Sequence, residues 1–424
     1  MKKISMTLQI MIATALGILA GLLFGGVLQP IKFIGDIFLR LIQMSIVLLV
    51  LGQIVEAVGN LNPRELGKLG VKTVVVFFAS SLLAAVWGII MGVLFKPGSG
   101  VDITAISSDA ANIEAGAMSS IQDTILSFFP GNIVQSMADN TIVHVIVFGI
   151  LFGIALGYIS TDEKNRKLLD MIIQFNKVII KLVSIVMKMA PLGIFVIIAT
   201  TIGQMGIQVV IPLAKYLGVY ALGTLIFLVL WLLVVCAYCK VSLPRLARNM
   251  FDMSIMALAT TSSAVTLPTA LKDCQEKLGI GEKVSKLVMP LGMSLNSNGS
   301  AMHMAITIVA IAQMYNIGYG WDQLVYIAVL ATLASLANAV VPGAGLVSLA
   351  IVVPTMGLPL ESIALLAGVE WFVGMLRTIL NVDSDAFTAM LVAKSEKQLD
   401  HLIFKGAHTY VESGSSTSGK GTNY

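Results

Sequence analysis

The sequence predicts an all-α polytopic membrane protein with eight transmembrane helices and two re-entrant helical hairpins, arranged as inverted repeats. Three observations predict it. Composition is the first: of 424 residues, 57% are hydrophobic and 12% charged, about half the charged share of a soluble domain. Mean hydropathy is +0.91. At about 40–50 residues per span and loop, this length allows about eight to ten crossings. The second is the spacing of basic clusters between apolar runs. The third is a pair of interrupted apolar segments in the last half of the chain, the usual sequence sign of an inverted-repeat transporter.

In order, Leu8 to Val27 is the first span, rich in Gly and Ala and suited to close helix contact. Lys2 and Lys3 precede it without a clean cleavage pattern, so it reads as retained. Phe33 to Ala57 is the second span. The basic loop of Arg64, Lys68 and Lys72 then faces the cytoplasm. Thr73 to Leu94 is the third, with Ser80 and Ser81 buried; one reading is that they back-bond to helix carbonyls. The polar, acidic stretch from Gly98 to Ser127 suits the outer side. Phe128 to Ile159, with Pro130 and Gly131, reads as a broken span. Leu169 to Gly203 carries Lys177, Lys181 and Lys188 on or near one face and is expected to lie at the interface before entering. Leu213 to Tyr238 is a clear span that ends at Lys240, Arg245 and Arg248.

Met253 to Leu271 is too short and too polar at its centre to cross. Basic residues flank it on both sides, so it dips in and returns. Val284 to Tyr315 is a span. Leu324 to Ala350, interrupted from Ala337 to Gly345 and lacking Lys and Arg at its flanks, is the mirror hairpin from outside. Ile363 to Val392 is the last span, and Lys394, Lys397 and Lys405 put its end inside. Both termini are therefore cytoplasmic, and the Gly/Ser-rich tail from Glu412 to Tyr424 reads as disordered.

Two polar centres sit inside these runs. One is Asn296-Ser297-Asn298-Gly299-Ser300, where amides and hydroxyls replace hydrocarbon and Asn-Gly favours a break that frees backbone groups. The other is Arg377, Asn381 and Asp385, on one helical stripe. Arg377 in mid-span costs about 2.5–3.5 kcal/mol on insertion scales, so it requires an anion. Two readings stand: a salt bridge with Glu370 that locks helices, or a guanidinium fork for a ligand carboxylate that Glu370 steadies. Ser262, Ser263 and the hairpin amides suit a second carboxylate. Asn381 can donate to it, and the amides from Val341 to Gly345 can close over it. Asp385 with Asn296 and nearby carbonyls suits a small hard cation such as Na+, with protonation of Asp385 as the competing role. Asp383 reads as solvated near the inner mouth. His303 reads as a satisfied, packed histidine, with proton carriage or ligand contact as the alternative. Cys236, Cys239 and Cys274 suggest no disulfide framework; Cys236 and Cys239 read as small hydrophobes. With no nucleophile–base pair, metal cluster or phosphate loop, the sequence points away from an enzyme, and the net charge of +4 reflects cytoplasmic loops rather than nucleic-acid binding.

Together, the serine-rich hairpin with Thr266-Leu267-Pro268, the Asn-x-x-Gly knot, the Pro342-Gly-Ala-Gly hairpin and the Arg-Thr-x-x-Asn-x-x-x-Asp helix resemble the dicarboxylate/amino acid:cation symporter family. The resemblance implies a homotrimer in the cell membrane, in contact with lipid, that works by an elevator mechanism. Residues 1–69 and 98–212 would be scaffold (spans one, two, four and five). Residues 70–97 and 213–398 would be the transport domain, and 399–424 the cytoplasmic tail. It implies a substrate site at Ser262, Ser263, Ser300, Gly345, Arg377, Thr378 and Asn381. A first cation site would use Asn296, Asn381, Asp385 and the Gly292 carbonyl, and a second the backbone near Ser294 and the outer hairpin. No cofactor is implied beyond Na+, or H+, as coupling ion.

Two departures shape the expectation. Amino acid transporters of the family carry an Asp three residues before the arginine to hold the substrate ammonium; here that residue is Gly374. This favours a plain C4-dicarboxylate, with an amino acid as the alternative if Glu370 reaches across. An Asp of the family's third Na+ site is replaced by Asn298, beside hydroxyls matching Ser80 and Ser81, so fewer Na+ or mixed Na+/H+ coupling is expected. The second span also lacks the family's proline at about Leu48, which implies a straighter helix. A passive anion channel or a sensor on the same fold is the remaining class.

Overall fold

The computed structural model describes residues 6–60, 63–100, 126, 129–139, 141–160, 166–205, 210–336, 344–360 and 362–408. Every long element among them is a helix. An apolar chain in hydrocarbon must satisfy its backbone internally, and helices do this segment by segment.

Helix α1 (Met6–Phe24) runs through a 3-10 turn (Gly25–Ile31) into α2 (Lys32–Gly59), which is continuous through Leu48. α1 packs on α7 (Ala190–Met205) at very short range. A Cβ on Gly21 would lie 2.7 Å from the Ala199 carbonyl oxygen, so the small residues of the first span do permit close approach. α3 (Pro63–Phe95) begins ten residues before the expected span. Arg64, Lys68 and Lys72 are therefore helical rather than a loop. Pro63 at the first helical position explains this, since its fixed φ suits a helix start.

The expected break in the fourth span lies between α4 (Ile133–Ala138) and α5 (Ile142–Ile159), and Asn132 caps α4 by accepting from Val134 and Gln135 N–H. α6 (Lys167–Val186) bends by 50° into α7, with Lys177, Lys181 and Lys188 exposed. α8 (Val210–Cys239) is an uninterrupted apolar helix; Cys239 is buried against Met390 and Cys236 is partly buried. Among the described residues, four helices are long and apolar enough to cross a membrane, or up to five if the bent pair counts as one. The protein is thus an all-α polytopic membrane protein.

The remaining apolar segments are broken in the middle. The serine-rich segment is a helix–turn–helix of α9 (Leu243–Thr260) and α10 (Ser263–Glu276), longer at both ends than the apolar core alone suggests. Thr261 turns the chain at φ 51°, and Ser262 caps α10. The knot separates α11 (Glu282–Leu295) from α12 (Asn298–Met314), with Asn296 and Ser297 out of helical geometry. α12 is the centre of the molecule, since every residue but Gln313 is buried. α13 (Trp321–Ser335) and α14 (Ala344–Thr355) pack on each other. The tip between them, with Val341, Pro342 and Gly343, lies outside the described residues, as do Met1–Ser5, most of Gly98–Ser127 and the tail from Glu412.

The run from Ile363 to Val392 is not one helix. α15 (Ser362–Ala367) stops at Gly368 and Val369, and α16 (Glu370–Ser395) begins there. The break puts Glu370 in the first turn of α16, where an acidic side chain meets the positive end of the helix dipole. A short helix, α17 (His401–Phe404), follows.

Candidate functional site

α16 carries the stripe of Arg377, Asn381 and Asp385, the knot lies at the junction of α11 and α12, and α8, α9, α11 and α12 pack around α16. Near its start, the Arg377 Nη1 donates to Glu370 Oε1 at 2.8 Å, and both residues are buried. α14 lies directly on this pair. A Cβ on Gly345 would stand 1.7 Å from Glu370 Oε1 and 2.0 Å from Arg377 Nη1, and the Gly345 backbone hydrogen-bonds the Glu370 carboxylate. Only glycine lets the helix start come this close. On the other edge of the guanidinium the space is looser, for among the described residues a Cβ on Gly374 would meet only Arg377 Nη2, at 3.6 Å.

One turn further, α16 meets the break in α12. Asn381 Oδ1 accepts from the Gly299 N–H at 2.7 Å, and Tyr220 of α8 donates its hydroxyl to the Gly299 carbonyl at 3.0 Å. The amide freed by the broken helix is thus taken up by the stripe residue. Ser300, the next residue, is buried. The Thr378 hydroxyl donates back to the Gly374 carbonyl at 2.8 Å. Ser262 and Ser263 are half-buried at the hairpin turn, where Ser262 Oγ accepts from the Val265 N–H at 3.4 Å. No hydrogen bond joins either serine to Arg377 or Asn381.

Asp385 lies two turns beyond Arg377. The Asn296 Nδ2 donates to Asp385 Oδ1 at 2.8 Å, so it is the amino side of Asn296, not its oxygen, that faces the carboxylate. A Cβ on Gly292 would come within 2.4 Å of the Asp385 carboxyl, which makes α11 the wall against which Asp385 rests. The Asn296 oxygen turns instead toward α3. There Ser80 Oγ lies 3.0 Å from the Phe77 carbonyl, 3.1 Å from Asn296 Oδ1 and 3.2 Å from Asn298 Oδ1, and Ser81 Oγ lies 2.8 Å from Asn298 Oδ1. Ser80 therefore does bond back to its own helix, but it also reaches the knot. One hydroxyl proton cannot serve three acceptors, so the oxygens outnumber the protons among them. Asn298 Nδ2, meanwhile, is buried without a hydrogen bond. Turning that amide would satisfy Nδ2; the oxygen-inward orientation is the one that suits a hard cation. Ser294 is exposed on the last turn of α11.

Two expectations are corrected. Asp383 is buried rather than solvated, and Ser254 of α9 donates to its carboxylate at 2.8 and 3.0 Å. Its partner lies 129 residues away, beyond any local pattern. His303 is packed but not satisfied: neither ring nitrogen has a hydrogen bond. It lies edge-on to Tyr220, with centroids 5.6 Å apart, and its Nε2 is 3.9 Å from Glu370 Oε2. Sequence reasoning missed Tyr216 and Tyr220, whose i, i+4 spacing on an apolar helix was the available signal. Tyr216 shares a 2.7 Å hydrogen bond with Thr307.

With this geometry in place, comparison with known proteins adds a second line. The profile of the Sodium:dicarboxylate symporter family matches residues 6–395. The chain is 32% identical over 420 residues to a "Proton/glutamate-aspartate symporter" of Bacillus subtilis (strain 168), covering 97% of this chain and 100% of that protein. It is 33% identical to a protein of the same name from Escherichia coli (strain K12), covering 94% of each. It is 31% identical to a "C4-dicarboxylate transport protein" of Rhizobium leguminosarum, covering 92% of this chain and 89% of that one.

Proposed function

We propose, from the premise that this chain belongs to the sodium:dicarboxylate symporter family, that it imports a C4-dicarboxylate with Na+. Family membership makes it a secondary active symporter of a small anionic substrate coupled to Na+ or H+, and not an enzyme.

The observation that carries the substrate is the surroundings of Arg377. A site that prefers an α-ammonium would be expected to set a carboxylate beside the guanidinium. Gly374 supplies none; Glu370 Oε1 is taken by Arg377 Nη1, and Glu370 Oε2 faces His303 Nε2 at 3.9 Å. Arg377 Nη2 faces the looser side and takes one substrate carboxylate in a charge-assisted bond. The second carboxylate sits near Ser262, Ser263 and Ser300, with Thr378 and Asn381 at its edge. The oxygen cluster of Ser80, Ser81, Asn296 and Asn298, and the Asp385–Asn296–Gly292 wall, supply the Na+ contacts, with the carbonyls near Ser294 as a further site.

The proposed architecture has eight spans and two hairpins (α9–α10 and α13–α14), both termini cytoplasmic, in a trimer at the cell membrane. Residues 70–97 and 213–398 move elevator-fashion against residues 1–69 and 98–212, with the second hairpin as gate. The Gly345 contact with the Glu370–Arg377 pair supports a gate that closes over the substrate site.

An acidic amino acid is the second reading, favoured by the names of the Bacillus and Escherichia relatives. Uptake of labelled succinate and labelled aspartate into proteoliposomes, with and without an inward Na+ gradient, separates the two. Na+-dependent succinate uptake supports the proposal; aspartate uptake that succinate does not inhibit overturns it.

A further inference from the structure

We propose that His303 and Glu370 form a proton-binding dyad that takes up one proton when a substrate carboxylate arrives at Arg377. The inference rests on the reading that Arg377 receives that carboxylate. It starts from three polar atoms. Glu370 Oε1 is used by Arg377, but Glu370 Oε2 is buried with no hydrogen bond, as are both ring nitrogens of His303. A buried polar atom left unpaired is costly, and two of these three atoms face each other. His303 Nε2 and Glu370 Oε2 are 3.9 Å apart. That is too far for a hydrogen bond, and about 1 Å of closure makes one. A proton shared across this gap satisfies both atoms at once.

Charge balance gives the dyad its task. Without substrate, Glu370 and Arg377 neutralise each other. A substrate carboxylate on Arg377 Nη2 adds a negative charge in a buried place, which is unfavourable unless compensated. A proton from water, bound between His303 Nε2 and Glu370 Oε2, restores neutrality and loosens the hold of Glu370 on Arg377. The proton belongs to the pair rather than to either residue.

The surroundings leave few other groups for this role. Arg377 is the charged group acting on His303, and Arg377 and the Gly345 amide act on Glu370. From α8, Tyr216 and Tyr220 feel both Glu370 and Arg377. α3 carries no titratable side chain from Thr73 to Phe95, and α14 carries none; α13 brings Asp322 and Tyr326. Further along α16 are Asp383 and Asp385, beside Ser254 and Asn296.

The test is calorimetric titration of the full-length protein in detergent with saturating Na+, using succinate and L-aspartate as probes. Each titration is run in two buffers of different ionisation enthalpy between pH 7 and 8, where both probes are ionised. The expected result is uptake of about one proton per probe molecule bound, with affinity tightening up to tenfold for each unit of falling pH. Glu370→Gln and His303→Gln should each bind with no proton uptake and a flat pH profile; His303→Gln keeps the Glu370–Arg377 bond, so its folding is protected. Binding by the unaltered protein without proton uptake, or uptake undiminished in both variants, overturns the dyad. Which probe binds judges the substrate reading; the proton count, taken with whichever binds, judges the dyad.

Discussion

Arg377 and Asp385 stand two turns apart on α16, and their surroundings are built differently. Arg377 has a dedicated counter-charge, Glu370, with the start of α14 resting on the pair. Asp385 has no cation beside it. It is held by the Asn296 amide and walled by Gly292, and the nearby Ser80, Ser81 and Asn298 present oxygens. A permanent cation in a membrane protein must be neutralised at all times, so its pole comes with its own anion. A pole built of oxygens is complete only when a cation comes to it. The first two turns of the helix are thus self-compensated, while its middle is rich in acceptors.

Arg377→Ala should break the comparison most. It removes the anion pole and leaves Glu370 buried and unpaired, at a cost of about 3–5 kcal/mol. Substrate-induced thermal stabilisation should vanish while Na+-induced stabilisation survives. Loss of both would mean that the poles are not separate. Next in size is Gly345→Ala, whose methyl would meet Glu370 and Arg377 at under van der Waals distance. Strain of about 1–3 kcal/mol at this contact should lower uptake about tenfold or more in a protein that still binds Na+.

The reciprocal change is Gly292→Ala, which pushes on the Asp385 carboxyl. It should weaken Na+ binding about tenfold and leave the Glu370–Arg377 bond intact, read as a raised Na+ concentration for half-maximal uptake. The smallest change is Asn298→Asp. A charged oxygen in the Ser80–Ser81 cluster should strengthen Na+ binding, steepening the dependence of uptake on Na+. A flat response would remove this cluster from the ion path.

Both poles were legible in the sequence because polar residues are rare in apolar runs and the stripe of Arg377, Asn381 and Asp385 follows from helical spacing alone. The break at Asn296–Ser297 was legible from the same polar knot and the Asn-Gly step. The partners were not. Ser254 for Asp383 and Ser80 for Asn298 lie 129 and 218 residues apart in the chain, and only the packing of α9 and α3 brings them together. His303 looked like a packing residue because its apolar neighbours say nothing about which way its nitrogens point. The helix break before Glu370 was hidden too, since Gly368 and Val369 continue the apolar run without a polar signal. The hairpin α9–α10 extends into charged sequence around Arg245 and Arg248, where hydropathy stops reporting helix.

The claim that Gly374 beside Arg377 sets the substrate class is tested most directly by Gly374→Asp, for which the structure leaves room. Uptake of labelled aspartate and labelled succinate would be measured side by side in proteoliposomes under an inward Na+ gradient, for the protein with and without the substitution. The account predicts that succinate uptake falls at least tenfold and aspartate uptake rises. An unchanged ratio of the two, in a variant that still responds to Na+, would contradict it.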